Sequence, residues 1–136
     1  MRYMLDTNIC IYLLKGHPQS VLKRLAQQDF GDVVMSCLSL AELRRGVGQQ
    51  SGDTQKADEA ALQLLLQDVM ALDFDAGAAH AFGVLGSNAT LKRGKAIDNL
   101  IAAHAISQGA TLVTNNEKDF KGYPGLRVEN WVSSAA

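Results

Sequence analysis

The sequence is poor in cysteine: Cys10 and Cys37 are the only two, and no C-x-x-C pair occurs. A disulfide framework or a structural zinc site needs more ligands than that, so a reducing compartment is expected. Long apolar runs are also missing. None approaches the roughly 18 to 20 residues of a membrane-spanning helix, and the N-terminus lacks the apolar stretch of a secretory signal. A soluble, cytoplasmic protein is the expectation. Net charge is only −1, so any grip on phosphates must come from local basic clusters or from a metal ion. Internal repeats and low-complexity segments are absent as well. What remains is 136 residues with 47% hydrophobic content, enough for one domain over 1–136 with a real core.

Short apolar runs alternate with longer helical patterns. Residues 3–5, 33–36, 71–74 and 111–114 have the form of strands buried on both faces. Helices are expected at 8–14, at 18–28 with Pro18 near the first turn, and from Ser39, which with Glu42 has capping-box spacing. Further helices are expected over 54–70, from Asp75 to about Lys92, and from Asp98 to a C-terminal stop at Gly109. The stretch 48–54 reads as a flexible loop, and 133–136 should fray. Such alternation predicts an α/β fold, a mostly parallel sheet covered by helices on both sides.

The acids can be placed on this scaffold. Asp6 lies just past the first strand, Glu42 in the helix after the second, Asp98 at a helix start, and Asp119 beyond the strand 111–114. Each lies on, or within a turn of, the edge where strands end and helices begin, and open α/β sheets bind their ligands there. Carboxylates gathered without matching arginines repel one another, and they stay ionised when a cation joins them. Oxygen-only ligands favour Mg²⁺ or Mn²⁺. Hydrolysis of a phosphodiester by a metal-activated water is the chemistry that suits such a site.

The segments Met4-Leu5-Asp6-Thr7-Asn8, Ser39-Leu40-Ala41-Glu42-Leu43, Asp98-Asn99-Leu100-Ile101-Ala102-Ala103-His104-Ala105 and Gly109-Ala110-Thr111-Leu112-Val113-Thr114-Asn115-Asn116 together resemble a PIN-domain ribonuclease of the VapC toxin type. The resemblance implies a three-layer α/β/α PIN-like domain with a short, mostly parallel sheet. It also implies a Mg²⁺- or Mn²⁺-dependent endoribonuclease, with transfer RNA a plausible target, a homodimer, and a VapB-type antitoxin whose C-terminal segment blocks the active site. Position by position, Asp6 and Asp98 match the principal metal-ligating acids and Glu42 the third. Thr7 and Asn8 match residues that orient those carboxylates. The supporting fourth acid is Asp119, with Asn116 in reserve. The approach Arg93-Gly94-Lys95-Ala96-Ile97-Asp98 is shorter than the family's usual one and lacks its Pro-Ile-Gly-like stretch.

Singly, these residues have plainer uses. Asp6 and Asp98 are potential N-caps, Glu42 a capping-box member and Asp119 a loop residue. Arg44, Arg45, Lys92, Arg93 and Lys95 are candidates to grip an RNA backbone, or else solvated helix ends. His104, alone on a small-residue helix face, is better read as packed than as a general base. Leu64, Leu65, Phe82 and Leu85 read as core, with 62–66 an alternative dimer face. Two other function classes stay open. A metal-dependent phosphohydrolase of small phosphate esters, in the haloacid-dehalogenase manner, wants an Asp where Asn8 stands; a non-catalytic PIN-like interaction module would have lost its acids.

Overall fold

The computed structural model describes residues 1–132, so the expected fraying at 133–136 lies outside the described residues. These described residues form five strands: β1 (Tyr3–Leu5), β2 (Val33–Ser36), β3 (Met70–Leu72), β4 (Thr111–Val113) and β5 (Arg127–Glu129). They form one sheet in the order β3-β2-β1-β4-β5, every neighbouring pair parallel. The chain therefore moves outward from β1 to β2 and β3, then returns to place β4 on the other side of β1. That reversal opens a crevice at the carboxyl ends of β1 and β4, where ligands of open parallel sheets are bound.

Among the described residues seven helices cover the sheet: α1 (Thr7–Lys15), α2 (Gln19–Ala26), α3 (Cys37–Gly48), α4 (Gly52–Asp68), α5 (Ala76–Ser87), α6 (Ala96–Ser107) and α7 (Glu117–Phe120). The period of two along each strand sorts the core into two layers. Leu5, Val33, Met35 and Val113 point to one face, where they pack with Ile9, Cys10, Leu43, Leu62 and Leu65. Met4, Val34 and Leu112 point to the other, against Leu85, Ile101, Ala102 and Ala105. Register keeps the sets together, since Met4 pairs with both Val34 and Leu112 while Leu5 pairs with Met35 and Val113. The expected three-layer α/β/α architecture is present. Among the described residues no helix is long and apolar enough to cross a membrane.

Several boundaries differ from expectation for local reasons. Helix α3 starts two residues earlier than Ser39 because Ser36, the last residue of β2, is the cap, its Oγ accepting from the Leu38 N–H at 3.1 Å. Asp75 does cap α5, its Oδ1 accepting from the Ala78 N–H at 2.9 Å, but that helix stops at Ser87, where the Thr90 N–H and hydroxyl both turn back to the Leu85 carbonyl. Helix α6 begins at Ala96, so Asp98 sits inside the first turn and Lys95 holds the cap position. The loop expected over 48–54 shrinks to the link between α3, ending at Gly48, and α4, starting at Gly52. Strand β5 was not expected at all. Of the presumed core, Leu65 and Leu85 are buried and Leu64 is exposed, while Leu62 belongs to the interior, so 62–66 offers no continuous apolar face.

Candidate active site

Strand β1 ends at Leu5, and the next residue begins helix formation. Asp6 is the N-cap of α1, its Oδ1 accepting from the Ile9 N–H at 2.9 Å. Its own N–H donates to the Val113 carbonyl at 3.0 Å, which ties the turn to the end of β4 across the crevice. Helix capping, the plainer use expected of Asp6, is therefore formed. The group is 5% exposed. Burial raises its pKa above the ordinary carboxylate value, against the Thr114 hydroxyl and the Ile9 N–H, which favour the charged form; the nearby Asp98 raises it further.

Glu42 arrives from α3, one turn beyond Ser39. The anticipated capping box is not formed; instead the Thr7 hydroxyl donates to Glu42 Oε1 at 2.5 Å, and Thr7 Oγ1 also lies 3.1 Å from the buried Ser39 Oγ. Thr7 thus bonds the carboxylate of Glu42, on the helix after β2. Asp98 arrives from the first turn of α6. Burial pushes its pKa up, the Lys95 ammonium pulls it back, and Asp119 and Glu42 push it up again. Asp6, Glu42 and Asp98 line one open cavity of about 350 Å³ with Thr7, Asn8 and Arg45. Asn8 contributes a backbone N–H that favours ionised Asp6.

The other candidates separate. Asp119 does not line the cavity; its carboxylate lies 3.1 Å from Lys95 Nζ and accepts from Asn116 Nδ2. Asn116 in turn donates its N–H to Thr114 Oγ1 at 2.9 Å, so the reserve candidate joins the two supporting groups. Lys92 Nζ donates to the Asp119 carbonyl at 2.7 Å. Arg44 turns away to Glu59 on α4, at 2.6 Å, and Arg93 is exposed, leaving Arg45 as the basic side chain in the cavity wall. His104 is buried away from the cavity, Nδ1 2.8 Å from Ser36 Oγ and the ring edge-on to Phe74. Burial holds its pKa below the usual imidazole value. The sequence reading overlooked Thr114 and Gln49. A hydroxyl just past the strand that pairs with β1 was the available signal for the first, and nothing in the sequence marked the second.

Residues 3–126 match the PIN domain family. The chain belongs to that family. A ribonuclease VapC2 from Rickettsia felis is 41% identical over 96% of this chain and 98% of its own length. A tRNA(fMet)-specific endonuclease VapC from Shigella flexneri is 34% identical over 96% of this chain and 98% of its own. The fold is similar to that in the crystal structure of VapBC2 from Rickettsia felis bound to a DNA fragment from their promoter, with TM-score 0.82 and 38% identity over 97% of this chain and 100% of that one. It is equally similar, at TM-score 0.82 and 30% identity, to DNA-bound VapBC from Salmonella typhimurium, over 97% of this chain and 99% of that one. This PIN domain is thus of the VapC type.

PIN domains of that type are generally metal-dependent nucleases, and the donors here suit a hard divalent cation. All three cavity acids offer oxygen, and the pKa values of buried Asp6 and half-buried Asp98 are raised by burial first and by neighbouring acids after it. Among the described residues, no group of three or more His, Cys, Asp or Glu side chains is drawn tightly enough to hold an ion alone. Hard cations are often held by only one or two carboxylates, with waters and substrate oxygens completing the shell.

Proposed function

We propose that this PIN domain is a Mg²⁺- or Mn²⁺-dependent endoribonuclease and the toxin of a toxin–antitoxin pair. The observation that carries the reading is that Asp6, Glu42 and Asp98, from three separate parts of the chain, line one cavity at the sheet's switch point. Asp6 and Asp98 are the carboxylates that would hold the ion. When bound, it would supply a water of lowered pKa and neutralise charge on the phosphate.

The chain's own groups do the rest. Thr7 occupies Glu42 Oε1, so Oε2 is the oxygen that takes a hydrogen bond or proton from the attacking water, with proton transfer to a positioned carboxylate as the general-base step. Arg45 in the cavity wall pairs with a phosphate oxygen beside the scissile bond. Asp119 and Asn116 support from behind, fixing Lys95 and Thr114. Attack by water leaves a 5′-phosphate and a 3′-hydroxyl.

Substrate and partner follow from the relatives. The Shigella flexneri protein is a tRNA(fMet)-specific endonuclease, which makes transfer RNA the first substrate class to test. Relatives of this fold occur as VapBC complexes, so a VapB-type antitoxin is the proposed partner, and the toxin is proposed to be a homodimer. An apolar groove lined by Ile11, Leu14, Leu43, Val47 and Ala61 opens beside the cavity and shares Glu42 and Gly46 with it, a place where an antitoxin segment would cover the acids.

The test is RNA cleavage by wild type, Asp6→Asn and Asp98→Asn at equal metal, with product ends sequenced. Loss of about 100-fold or more in both variants is expected, as for removing a main electrostatic stabiliser, together with arrest by EDTA. Full activity in both variants, or 2′,3′-cyclic ends, would refute the mechanism.

A further inference from the structure

The acid cavity has a cation built in beside it. Asn99, next to Asp98 and only 6% exposed, accepts from the Lys92 N–H and donates to the Lys92 carbonyl, each at 2.9 Å. Its Oδ1 also accepts from the Tyr123 hydroxyl. This two-point grip fixes the short approach to α6, whose turn uses Gly94 at φ +75°, a conformation open to glycine. Two ammonium groups ride on the clamped segment. Lys92 Nζ stands 4.7 Å over the Tyr123 ring and bonds the Asp119 carbonyl; Lys95 Nζ is 3.1 Å from the Asp119 carboxylate.

Lys95 is also three residues ahead of Asp98, and no other positive charge favours ionised Asp98 as strongly. The short approach thus sets a positive charge where Asp98 and Asp119 both feel it. A divalent ion at Asp98 would enter the same field.

We propose that Lys95 is an exchangeable counter-cation of the acid cluster, moored to Asp119 and balancing the charge that a divalent ion balances when the site is loaded, so that ion and ammonium compete. The proposal rests on the metal-centre reading above. The mooring is light, because the pair is part-exposed, 43% for Lys95 and 28% for Asp119, and exposed pairs bind weakly. Competition is reciprocal: if the ammonium weakens ion binding, the ion must weaken the ammonium's hold on Asp119 by the same factor.

Two measurements without RNA test it. Mn²⁺ binding is followed by the paramagnetic resonance of the free ion for wild type, Lys95→Gln, Lys95→Arg and Asp98→Asn, with melting temperatures taken on the same samples. Lys95→Gln should bind about fivefold tighter or more, the lower end of coupling between two sites, and Lys95→Arg should stay near wild type. In parallel, the Lys95 ammonium resonance of the wild type should shift on Mg²⁺ titration and saturate with the ion. Unchanged or weaker binding in a folded Lys95→Gln, or a Lys95 resonance indifferent to Mg²⁺, overturns the proposal; should Lys95→Gln not fold, the wild-type titration decides. Wild-type affinity in Asp98→Asn would overturn the metal centre itself, whereas lost binding there beside unchanged binding in Lys95→Gln overturns the role of Lys95 alone.

Discussion

Asp6 does two jobs whose energetics conflict. Its Oδ1 caps α1, which stabilises the fold, while its charge is buried beside Asp98, which raises its pKa. A carboxyl whose folded pKa exceeds its unfolded value binds more protons when folded. Metal-free stability therefore falls as pH rises from the ordinary carboxylate range through the raised value, and at neutral pH the ionised form is a cost. Asparagine caps a helix as well as aspartate does, so Asp6→Asn keeps the bond and removes the charge. It should melt higher than wild type at neutral pH without divalent ions, by about 3–5 °C for each kcal/mol recovered, with the difference vanishing near pH 3. A lower neutral melting point would show that the charge is not a burden. Thr7 is the complementary case, because its hydroxyl touches both Glu42 and Ser39 of α3 and would hold that carboxylate in place. Thr7→Val should lower cleavage about 10- to 100-fold, the usual effect of losing a partner that orients a site carboxylate, with RNA affinity unchanged by filter binding.

The elements differ in how openly the sequence declared them. The strands of the interior are apolar runs that the core requires, and three of them were legible to within a residue or two. Strand β5, Arg-Val-Glu at the sheet's edge, was not, because an edge strand tolerates charge and shows no apolar run. Helix starts were misplaced wherever two capping patterns competed. Ser39 with Glu42 has the spacing of a cap, yet Ser36, delivered by β2, reaches the helix first, and Ser39 is left free to meet Thr7. Ser36 also carries more than a cap, since its Oγ is the partner of buried His104 Nδ1, whose ring has no hydrogen-bond partner at Nε2 among the described residues. Ser36→Ala should therefore cost the cap, about 1 kcal/mol, and a buried polar desolvation penalty of about 1–3 kcal/mol. Denaturant unfolding should show a loss near the sum; a loss under 1 kcal/mol would mean that His104 finds another partner.

At the scale of the whole molecule, the order β3-β2-β1-β4-β5 explains why acids so far apart in sequence meet. β1 sits centrally, and the residue following it faces the groups that follow β4. Glu42 and Asp98 were legible because each lies in the first turns of a helix, and helix starts in this architecture crowd the carboxyl edge of the sheet. Lys95 with Asp119 was not, since that pairing spans 24 residues and depends on how Asn99 clamps the turn between them. The resulting cluster is destabilised by its own charge, so an ion that binds the folded chain and not the unfolded one should stabilise it by mass action, about 2.7 kcal/mol at a hundredfold excess over Kd. The wild-type melting temperature should then climb with Mg²⁺ concentration and keep climbing logarithmically. Asp98→Asn should start higher than wild type and stay nearly flat, so the two curves cross. Parallel curves would mean that Mg²⁺ stabilises the chain elsewhere, and that the acids meet at the switch point without sharing an ion.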